Sequence, residues 1–380
     1  MKEYIAILVR KLISPSMRFE LSEVAAWVRE QLGRACLWRW KFTRFRLWND
    51  SPYDILYAGR KIHWETARVL LGAGGDVGPS YAKAGQSCRT VLFSEMPLPG
   101  ALCVPHSLRV IVPLGRTIEE ITGGFGDELR RVIRQRRVHY RMIQTLDDSD
   151  IERADQEMLQ PYARARHGIA ASQVGSDVVR KLAQKCGWFH ILLFGDEAVA
   201  CQLGGTITRA KKRYWSVIRC GYPELVFANS KKLHETNSIN FYLALECAIE
   251  GKFDYFDLGT CLGRPEDGLL QWKKRWGGVV DTMGNHGYFY VRLPKAGAAK
   301  FLWDAPLFAV EGKQLTLHLG LPDEPSDEEA STRYRGMGFG GLFKIYLHCA
   351  RPPSEDILKK LRNLYGHQKS PPILKIVLSA

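Results

Sequence analysis

Residues 188–220 read WFHILLFGDEAVACQLGGTITRAKKRYWSVIRC and contain three apolar or alternating runs separated by two turns. The first run ends at Gly195-Asp196-Glu197, and a basic stretch at 209–213 separates the second run from the third. Turns between such runs are typical of β-hairpins. This segment therefore predicts three antiparallel strands, at 188–194, 198–207 and 214–220.

Further helices and strands are predicted on both sides of this sheet. Asn237 is a favoured N-cap residue and Gly251 a favoured terminator, so the sequence predicts a helix over 238–250. The other predicted helices lie at 22–32 (with Ser22 as its cap), 126–138, 148–166, 177–186, 268–275, 340–350 and 354–365. The other predicted strands lie at 37–48, 109–114, 138–143, 255–258 and 288–293, and 72–88 is a predicted loop. This order predicts a mixed α/β (α+β) fold.

The composition excludes several classes of protein. The chain has 380 residues, of which 46% are hydrophobic and 11% aromatic, so two to three globular domains are expected. Its longest apolar runs, such as 5–9 and 191–194, are far shorter than the roughly 18 residues that a membrane span needs. The N-terminal residues do not match a secretory signal, so the sequence predicts a cytoplasmic protein with no membrane span.

The cysteine pattern indicates a reduced protein. Nine cysteines lie at 36, 88, 103, 186, 201, 220, 247, 261 and 349, and no CxxC pair occurs among them. A disulfide framework or a zinc site would need paired, close spacings. We therefore expect free, mostly structural cysteines, no metal and no tightly bound cofactor.

The charge distribution indicates an anionic partner. Lys and Arg number 54 against 40 Asp and Glu, a formal net charge of +14. Such a surplus favours a phosphate-bearing molecule, RNA or an acidic carrier protein, with a basic surface that only aids solubility as the alternative. Much of the charge lies in two segments. Six arginines fall within residues 130–141, five of them on the predicted helix 126–138, and basic residues alternate with tryptophan and phenylalanine in 38–48.

The predicted start of helix 238–250 is the first candidate binding site. The backbone N–H groups of Ser238, Ile239 and Asn240 would lack partners within the helix, and the helix dipole adds partial positive charge there. Lys231 and Lys232 lie just before this helix. Such an end binds pyrophosphate or a similar anion, although ordinary helix capping accounts for the same residues.

Several segments resemble the GNAT-fold acyltransferases related to the Fem-type aminoacyl-tRNA-dependent transferases. The family has an Asn that begins a helix, a Gly that ends it, a strand end rich in aspartate and glycine, and a final aromatic, lysine and glycine box. The matching residues here are Asn237, Gly251, YFDLG at 255–259 and WKKRWG at 272–277. RRVIRQRR at 130–137 is similar to the family's arginine-rich helix, and YARARH at 162–167 to another helix end.

This resemblance, which covers about residues 109–280, implies tandem GNAT-like halves, each a mostly antiparallel sheet flanked by helices. The predicted domains are an N-terminal half at 1–165, a C-terminal half with the proposed site at 166–294, and a C-terminal appendage at 295–380. The resemblance also implies acyl-CoA, an acyl carrier protein or an aminoacyl-tRNA as co-substrate, and an amine acceptor that is a small molecule or a peptide. The chain lacks the Gln/Arg-x-x-Gly-x-Gly/Ala loop of simple GNAT enzymes before 238, and the long helical hairpin of Fem enzymes that build peptidoglycan.

Acyl transfer to an amine sets the requirements for the site. Direct attack on a thioester or ester needs a neutral amine, alignment and stabilisation of the oxyanion, but no covalent enzyme intermediate. Asp257 could accept the amine proton and Lys273 could balance the developing charge, with a strand-end aspartate and a solvated lysine as the structural alternatives. The candidate donor-binding residues are Lys231, Lys232, Asn237, Ser238, Asn240, Tyr242, Lys274 and Trp276, and the candidate contacts to RNA or a carrier are Arg130, Arg131, Arg134 and Arg137.

Three functions stay open on the sequence alone. The first is acyl transfer from a thioester, on coenzyme A or a carrier protein, to an amine. The second is aminoacyl-tRNA-dependent transfer of the Fem type, in which the arginines of 126–138 would contact RNA phosphates. The third is a non-catalytic module that binds RNA or a carrier, in which the aromatic and basic segment 37–48 would stack on bases.

Overall fold

The computed structural model describes residues 15–48, 51–73, 89–167, 176–365 and 371–378. In these ranges the chain forms three sheets with helices around them, which confirms the predicted mixed α/β class. The apolar run at 5–9 and nearly all of the predicted loop at 72–88 fall outside the described residues. Among the helices that are described, none combines the length and apolar character that crossing a bilayer requires.

The elements have the following bounds. The helices are α1 (Pro15–Ala35), α2 (Trp64–Leu70), α3 (Ile118–Gly123), α4 (Asp127–Arg136), α5 (Asp148–Ala154), α6 (Gln160–His167), α7 (Ser176–Cys186), α8 (Glu224–Phe227), α9 (Ser230–Glu250), α10 (Gly268–Lys274), α11 (Ala298–Asp304), α12 (Asp327–Arg335) and α13 (Glu355–Tyr365). The strands are β1 (Trp40–Phe45), β2 (Asp54–Arg60), β3 (Thr90–Ser94), β4 (Leu102–Pro105), β5 (Ser107–Pro113), β6 (Tyr140–Gln144), β7 (Gly187–Phe194), β8 (Glu197–Arg209), β9 (Lys212–Gly221), β10 (Tyr255–Leu262), β11 (Val279–Asp281), β12 (Tyr288–Arg292), β13 (Leu307–Glu311), β14 (Gln314–Leu321), β15 (Lys344–Cys349) and β16 (Ile373–Leu378). Short 3₁₀ turns lie at Leu37–Arg39, Lys61–His63 and Arg137–His139, and a π-helical turn lies at Asp155–Leu159.

The chain divides into two compact units, and the first contains Ile111–Gly259 and Arg275–Gly278 with the described residues before Ser22. Strands β7, β8 and β9 form the predicted antiparallel meander, and β6 pairs antiparallel with β7. Among the strands that lie wholly or partly in this unit, the sheet order is β5-β10-β9-β8-β7-β6. Apolar residues of α5, α7, β7 and β8 pack into one core beside the sheet. The meander that dominates the sequence pattern is therefore the centre of this unit.

The helix predicted at 238–250 begins eight residues earlier in the structure, as α9. It begins at Ser230, and its N-cap is Asn229, whose side chain accepts a hydrogen bond from the Lys232 N–H at 3.0 Å. Residues 230–237 contain no helix breaker, and the hydroxyl of Ser238 is satisfied within the helix by the His234 carbonyl at 2.8 Å. Asn237, Ser238 and Asn240 therefore lie inside the helix, and the prediction that 238–240 offer free N–H groups is wrong.

Three other predicted elements differ from the structure. Helix α1 begins at Pro15, so Ser22 lies within it rather than at its cap. The strand predicted at 37–48 is limited to β1, because residues 37–39 form a 3₁₀ turn. The helix predicted at 340–350 is strand β15, which pairs in parallel with β14 and β16. Strands of parallel sheets often read as near-continuous apolar runs because both of their faces are buried, and this pattern does not distinguish such a strand from a buried helix.

The second unit contains Ser22–Val110, Thr260–Lys274 and the described residues from Val279 onward. Its two sheets have the orders β1-β2-β3-β12-β4 and β13-β14-β15-β16. One core joins residues from before and after position 295, namely Phe45, Ile55, Tyr57, Phe93 and Phe289 with Phe301, Leu302, Ala305 and Leu307. The predicted division at 165 and 294 stays a prediction about domains, and this shared core is a reason to test it.

Candidate functional site

Strands β9 and β10 of the first unit separate partway along their length. They pair in parallel from Tyr255↔Tyr214 to Asp257↔Ser216, and their pairing ends there. Strand β9 continues to Gly221 along β8, and the register of that pair shifts between Leu203 and Gly204. Beyond Ser216, the edge of β9 that faces away from β8 has no paired strand among the described residues. Backbone groups on such an edge can bind an extended ligand.

Asp257 lies where the two strands separate, and it is completely buried. Its Oδ2 accepts a hydrogen bond from the Ser216 hydroxyl at 2.8 Å, and its Oδ1 accepts one from the Gly259 N–H at 2.8 Å. These bonds tie β10 to β9 and fix the backbone at Gly259, which lies within β10 and has a φ of +78°. Strand β10 continues to Leu262, past the predicted end at 258, so Asp257 lies inside the strand. In this conformation Asp257 positions the two strands and has no exposed surface for a substrate.

A buried polar cluster lies on β8, the end of β9 and α9. Asn237 Oδ1 accepts a hydrogen bond from the Tyr222 hydroxyl at 2.5 Å. Burial raises the pKa of Tyr222 well above its usual value, an effect that the adjacent Asn240 amide partly offsets, and burial raises the pKa of Cys220 to about 12. Both groups are therefore neutral near pH 7.

Two fully buried amides of this cluster have unmet hydrogen-bonding capacity. Within the described part of the chain, neither amide atom of Asn240 makes a hydrogen bond of standard geometry, and neither does Oε1 of Gln202. A buried polar group without a partner costs about 1–3 kcal/mol, so such groups are normally bound by water or by a ligand. Asn240 is among the residues that the sequence predicts for the site, whereas Gln202 is not, because an isolated glutamine within a strand belongs to no motif.

The predicted donor-binding residues of α9 fall in three different environments. Lys231 and Lys232 are exposed in the first turn of the helix, so they lie at its true N-terminus. Tyr242 is buried, and burial together with Glu246 raises its pKa to about 12. Asn237, Ser238 and Asn240 belong to the interior of the helix. Of these residues, only Lys231 and Lys232 are exposed at a helix N-terminus, where an anion can bind.

The other predicted residues of the WKKRWG box are partly or fully buried. Trp276, in the first unit, packs against Phe125 and Phe241, with ring centroids 5.1 and 5.8 Å away. In the second unit, Lys273 is buried and its Nζ donates to the Thr260 carbonyl at 2.8 Å. Lys274 donates to the Gly336 carbonyl at 3.0 Å, and burial lowers its pKa to about 8. Trp276 is a core residue, and burial makes Lys274 lose its proton more easily than an exposed lysine does.

Only some of the arginines of α4 and the 3₁₀ turn after it are free of ion pairs with described residues and so available to bind an anion. Arg130 pairs with Asp127, Arg136 with Glu235 at 3.1 Å, and Arg137 with Glu246 at 2.8 Å. Arg131 and Arg134 are exposed, and no ion pair forms at either within the described ranges. The acids that neutralise Arg136 and Arg137 come from α9, which a reading of the local sequence could not show.

A cluster of possible metal ligands lies in the second unit. Glu30, His63 and His106 offer ligand atoms within 4.8 Å of one another. The Arg60 guanidinium, however, pairs with Glu30, lies 3.0 Å from Nδ1 of His63 and donates to Glu95 at 2.7 Å. A cation therefore already bridges the carboxylates, and we interpret the cluster as an ion-pair network that holds α1 on β2.

No protein-family model and no curated protein matches the chain. Among solved structures it is similar to FemX, with 12% identity, a TM-score of 0.38, and coverage of 68% of this chain and 91% of that one. It is also similar to a GCN5-related N-acetyltransferase-like protein from Streptococcus suis, with 8% identity, a TM-score of 0.27, and coverage of 67% and 82%. A GCN5-related N-acetyltransferase from Anabaena variabilis has 8% identity, a TM-score of 0.29, and coverage of 71% and 62%. The names of these three structures belong to the two groups that the sequence resembles.

Proposed function

We propose that the chain is an N-acyltransferase that moves an acyl group from a thioester of coenzyme A or a carrier protein to an amine. The observation that carries this proposal is the separation of β9 from β10 beyond Ser216 and Asp257. An extended phosphopantetheine arm contains amide groups that can pair with a free strand edge as an added strand would. Lys231 lies ten residues after Gly221, the last residue of β9, and would bind the phosphates at the start of α9.

The chemistry requires no nucleophile from the protein. The nitrogen of a neutral amine attacks the thioester carbonyl, and N–H groups on the free edge of β9 stabilise the oxyanion that forms. The C–S bond then breaks, and the amine proton passes to the thiolate that leaves or to water. In this proposal Asp257 holds the point where the strands separate, and Lys273 holds the Thr260 carbonyl near the end of β10.

The first experiment identifies the donor without knowledge of the acceptor. The protein is purified gently and denatured, and the released small molecules and nucleic acids are identified by mass spectrometry. Coenzyme A or acyl phosphopantetheine supports the thioester donor, and charged tRNA contradicts it.

A charge-reversal variant then tests the donor site. Lys231→Glu/Lys232→Glu should weaken acyl-CoA binding by about tenfold or more, because it places two negative charges beside the donor phosphates. Lys181→Glu, on the exposed face of α7, is the matched control and should bind normally. Equal affinities in calorimetry for the double variant and the control would place the donor elsewhere.

Aminoacyl-tRNA is the second candidate donor, favoured by Arg131 and Arg134, which are exposed and form no ion pair with any residue that the structure describes. In a plot of the logarithm of the RNA binding constant against the logarithm of the salt concentration, each phosphate contact that is lost lowers the magnitude of the slope by about 0.7–0.9. Arg131→Glu/Arg134→Glu should therefore weaken tRNA binding and lower this slope by about 1.5. Arg153→Glu, which removes an arginine already paired with Asp150, is the control. An unchanged slope in fluorescence anisotropy contradicts this donor.

A further inference from the structure

Within the second unit, the part of helix α1 that follows Ser22 packs with its polar side against β2 and β12. Glu30 pairs with Arg60 and, at 3.4 Å, with Arg34, whose Nη2 donates to the Tyr288 carbonyl at 3.3 Å. The helix approaches so closely that a Cβ on Gly33 would lie 2.5 Å from Nη1 of Arg60. The side of α1 that carries Glu30, Gly33 and Arg34 is therefore the side that faces the sheet.

The opposite side of α1 is apolar and exposed. Val24, Trp27, Val28 and Leu32 are spaced so that they form one stripe on a helix, and 41–65% of each side chain's reference surface is exposed. Large apolar side chains that follow the helix in the chain are exposed as well, namely Leu37, Trp38 (76% exposed) and Phe42 (65% exposed). A surface helix normally buries its apolar stripe, so this inverted arrangement indicates a partner that is itself apolar.

The charge around this surface indicates an anionic partner as well. Residues 24–48 contain one acid, Glu30, and six basic residues, namely Arg29, Arg34, Arg39, Lys41, Arg44 and Arg46. Arg34 and Arg44 are ion-paired, whereas Arg29 and Arg39 are exposed and form no ion pair in the described part of the chain. Aliphatic and tryptophan side chains flanked by unpaired arginines match the boundary between acyl chains and phosphate headgroups.

We propose that this lipid-docking surface, formed by Val24, Trp27, Val28, Leu32, Leu37, Trp38 and Phe42 with Arg29 and Arg39, binds the surface of an anionic phospholipid bilayer. The apolar stripe inserts at the level of the headgroups, and the helix lies in the plane of the interface. RNA fits the surface less well, because Val24, Val28 and Leu32 cannot stack on bases and Trp40 is buried. This proposal does not depend on the acyltransferase activity.

Vesicle flotation with the full chain tests the proposal. The protein should float with vesicles of phosphatidylcholine containing about one third phosphatidylglycerol, and much less with phosphatidylcholine alone. Its tryptophan emission should shift to shorter wavelength on the anionic vesicles. Trp27→Glu/Leu32→Glu should lower vesicle partition by at least about tenfold, because it places two charges on the inserting face. Arg29→Glu/Arg39→Glu should remove the preference for anionic vesicles.

The control is Val178→Glu, which changes a comparably exposed valine (46%) on α7 in the other unit and should float normally. Circular dichroism confirms that each variant is folded. The proposal is overturned if the wild type does not float with anionic vesicles, or if Trp27→Glu/Leu32→Glu floats as well as the wild type. It is also overturned if that variant loses self-association in sedimentation, or RNA binding in anisotropy, while vesicle binding is unchanged, because the surface would then serve a second copy or a nucleic acid.

Discussion

Substitutions of a single residue, Asp257, can distinguish a structural role from a catalytic one. Its carboxylate accepts from Ser216 and Gly259, so Asp257→Ala leaves two buried donors without an acceptor and should cost about 2–4 kcal/mol in the free energy of unfolding. Asp257→Asn keeps an acceptor for the Gly259 N–H and should cost less. Urea denaturation measures both, and Ser216→Ala, which removes one bond, is the control. Full stability of Asp257→Asn with no transfer activity would instead support the catalytic role predicted from the sequence.

The burial of the Lys274 amine predicts that the stability of the protein depends on pH. Burial lowers its folded pKa to about 8, below the value of about 10.4 for an exposed lysine. Below pH 8 the Lys274 amine is protonated in both the folded and the unfolded protein, so the folded protein bears the free-energy cost of burying the charge. As the pH rises from 8 towards 10.4, the folded lysine loses its proton while the unfolded chain keeps it, so stability rises.

The variant that isolates this effect is Lys274→Met. Gly336 keeps Gln271 as a donor to its carbonyl at 2.9 Å, so the change leaves no orphaned acceptor. The stability of the wild type relative to Lys274→Met should increase by roughly 1–2 kcal/mol between pH 7.5 and 9.5. Lys313→Met, on an exposed turn, controls for the loss of one positive charge. A constant difference across this range would show that the Lys274 amine keeps its proton.

Helix α9 shows, at the scale of an element, why its start was missed. Both Asn229 and Asn237 are good caps, and the second precedes the more apolar segment, so the local pattern favours it. A tertiary contact separates them, because Asn237 is the acceptor for the Tyr222 hydroxyl, whereas Asn229 accepts from the Lys232 N–H as a cap does. Strand β15 was missed for a similar reason, since only its partners β14 and β16 identify it as a strand. The meander of β7, β8 and β9 was predicted correctly because it is formed by neighbours in the sequence joined by short turns.

The true cap can be tested by amide hydrogen exchange. Asn229→Ala removes the acceptor for the Lys232 N–H, so this amide and its neighbours in the first turn should exchange faster, with a loss of about 1 kcal/mol in stability. Asn229→Ser should restore protection, because serine is also a favoured cap. Asn237→Ala should destabilise the protein through Tyr222 while leaving exchange at Lys232 unchanged. Faster exchange at Lys232 in Asn237→Ala alone would contradict this assignment.

At the scale of the whole molecule, the sequence predicts the fold class and the strands that pair with near neighbours, but not the grouping of distant segments. The second unit combines residues 22–110 with residues beyond 278, and no periodicity in either segment indicates this. The candidate site likewise has features that the local sequence predicts and features that depend on distant segments. The residue types of the box at 272–277 are recognisable in the sequence. The burial of Asp257, Lys273 and Gln202 depends on contacts between segments far apart in the chain, and so does the pairing of Arg136 with Glu235.

The shared core of the second unit predicts that residues 295–380 cannot be removed as an appendage. A chain that ends at Pro294 loses Phe301, Leu302 and Leu307 from the core around Phe45 and Phe289, and it loses the Gly297 carbonyl that accepts from the Tyr53 hydroxyl at 2.8 Å. We expect this product to bind a hydrophobic dye and to unfold without a cooperative transition. Within the full chain, Phe301→Ala should cost about 3–5 kcal/mol, whereas Ile373→Ala, at a half-exposed position on β16, should cost far less. Cooperative unfolding of the shortened chain at the wild-type temperature would show instead that 1–294 folds independently, as the sequence-based division requires.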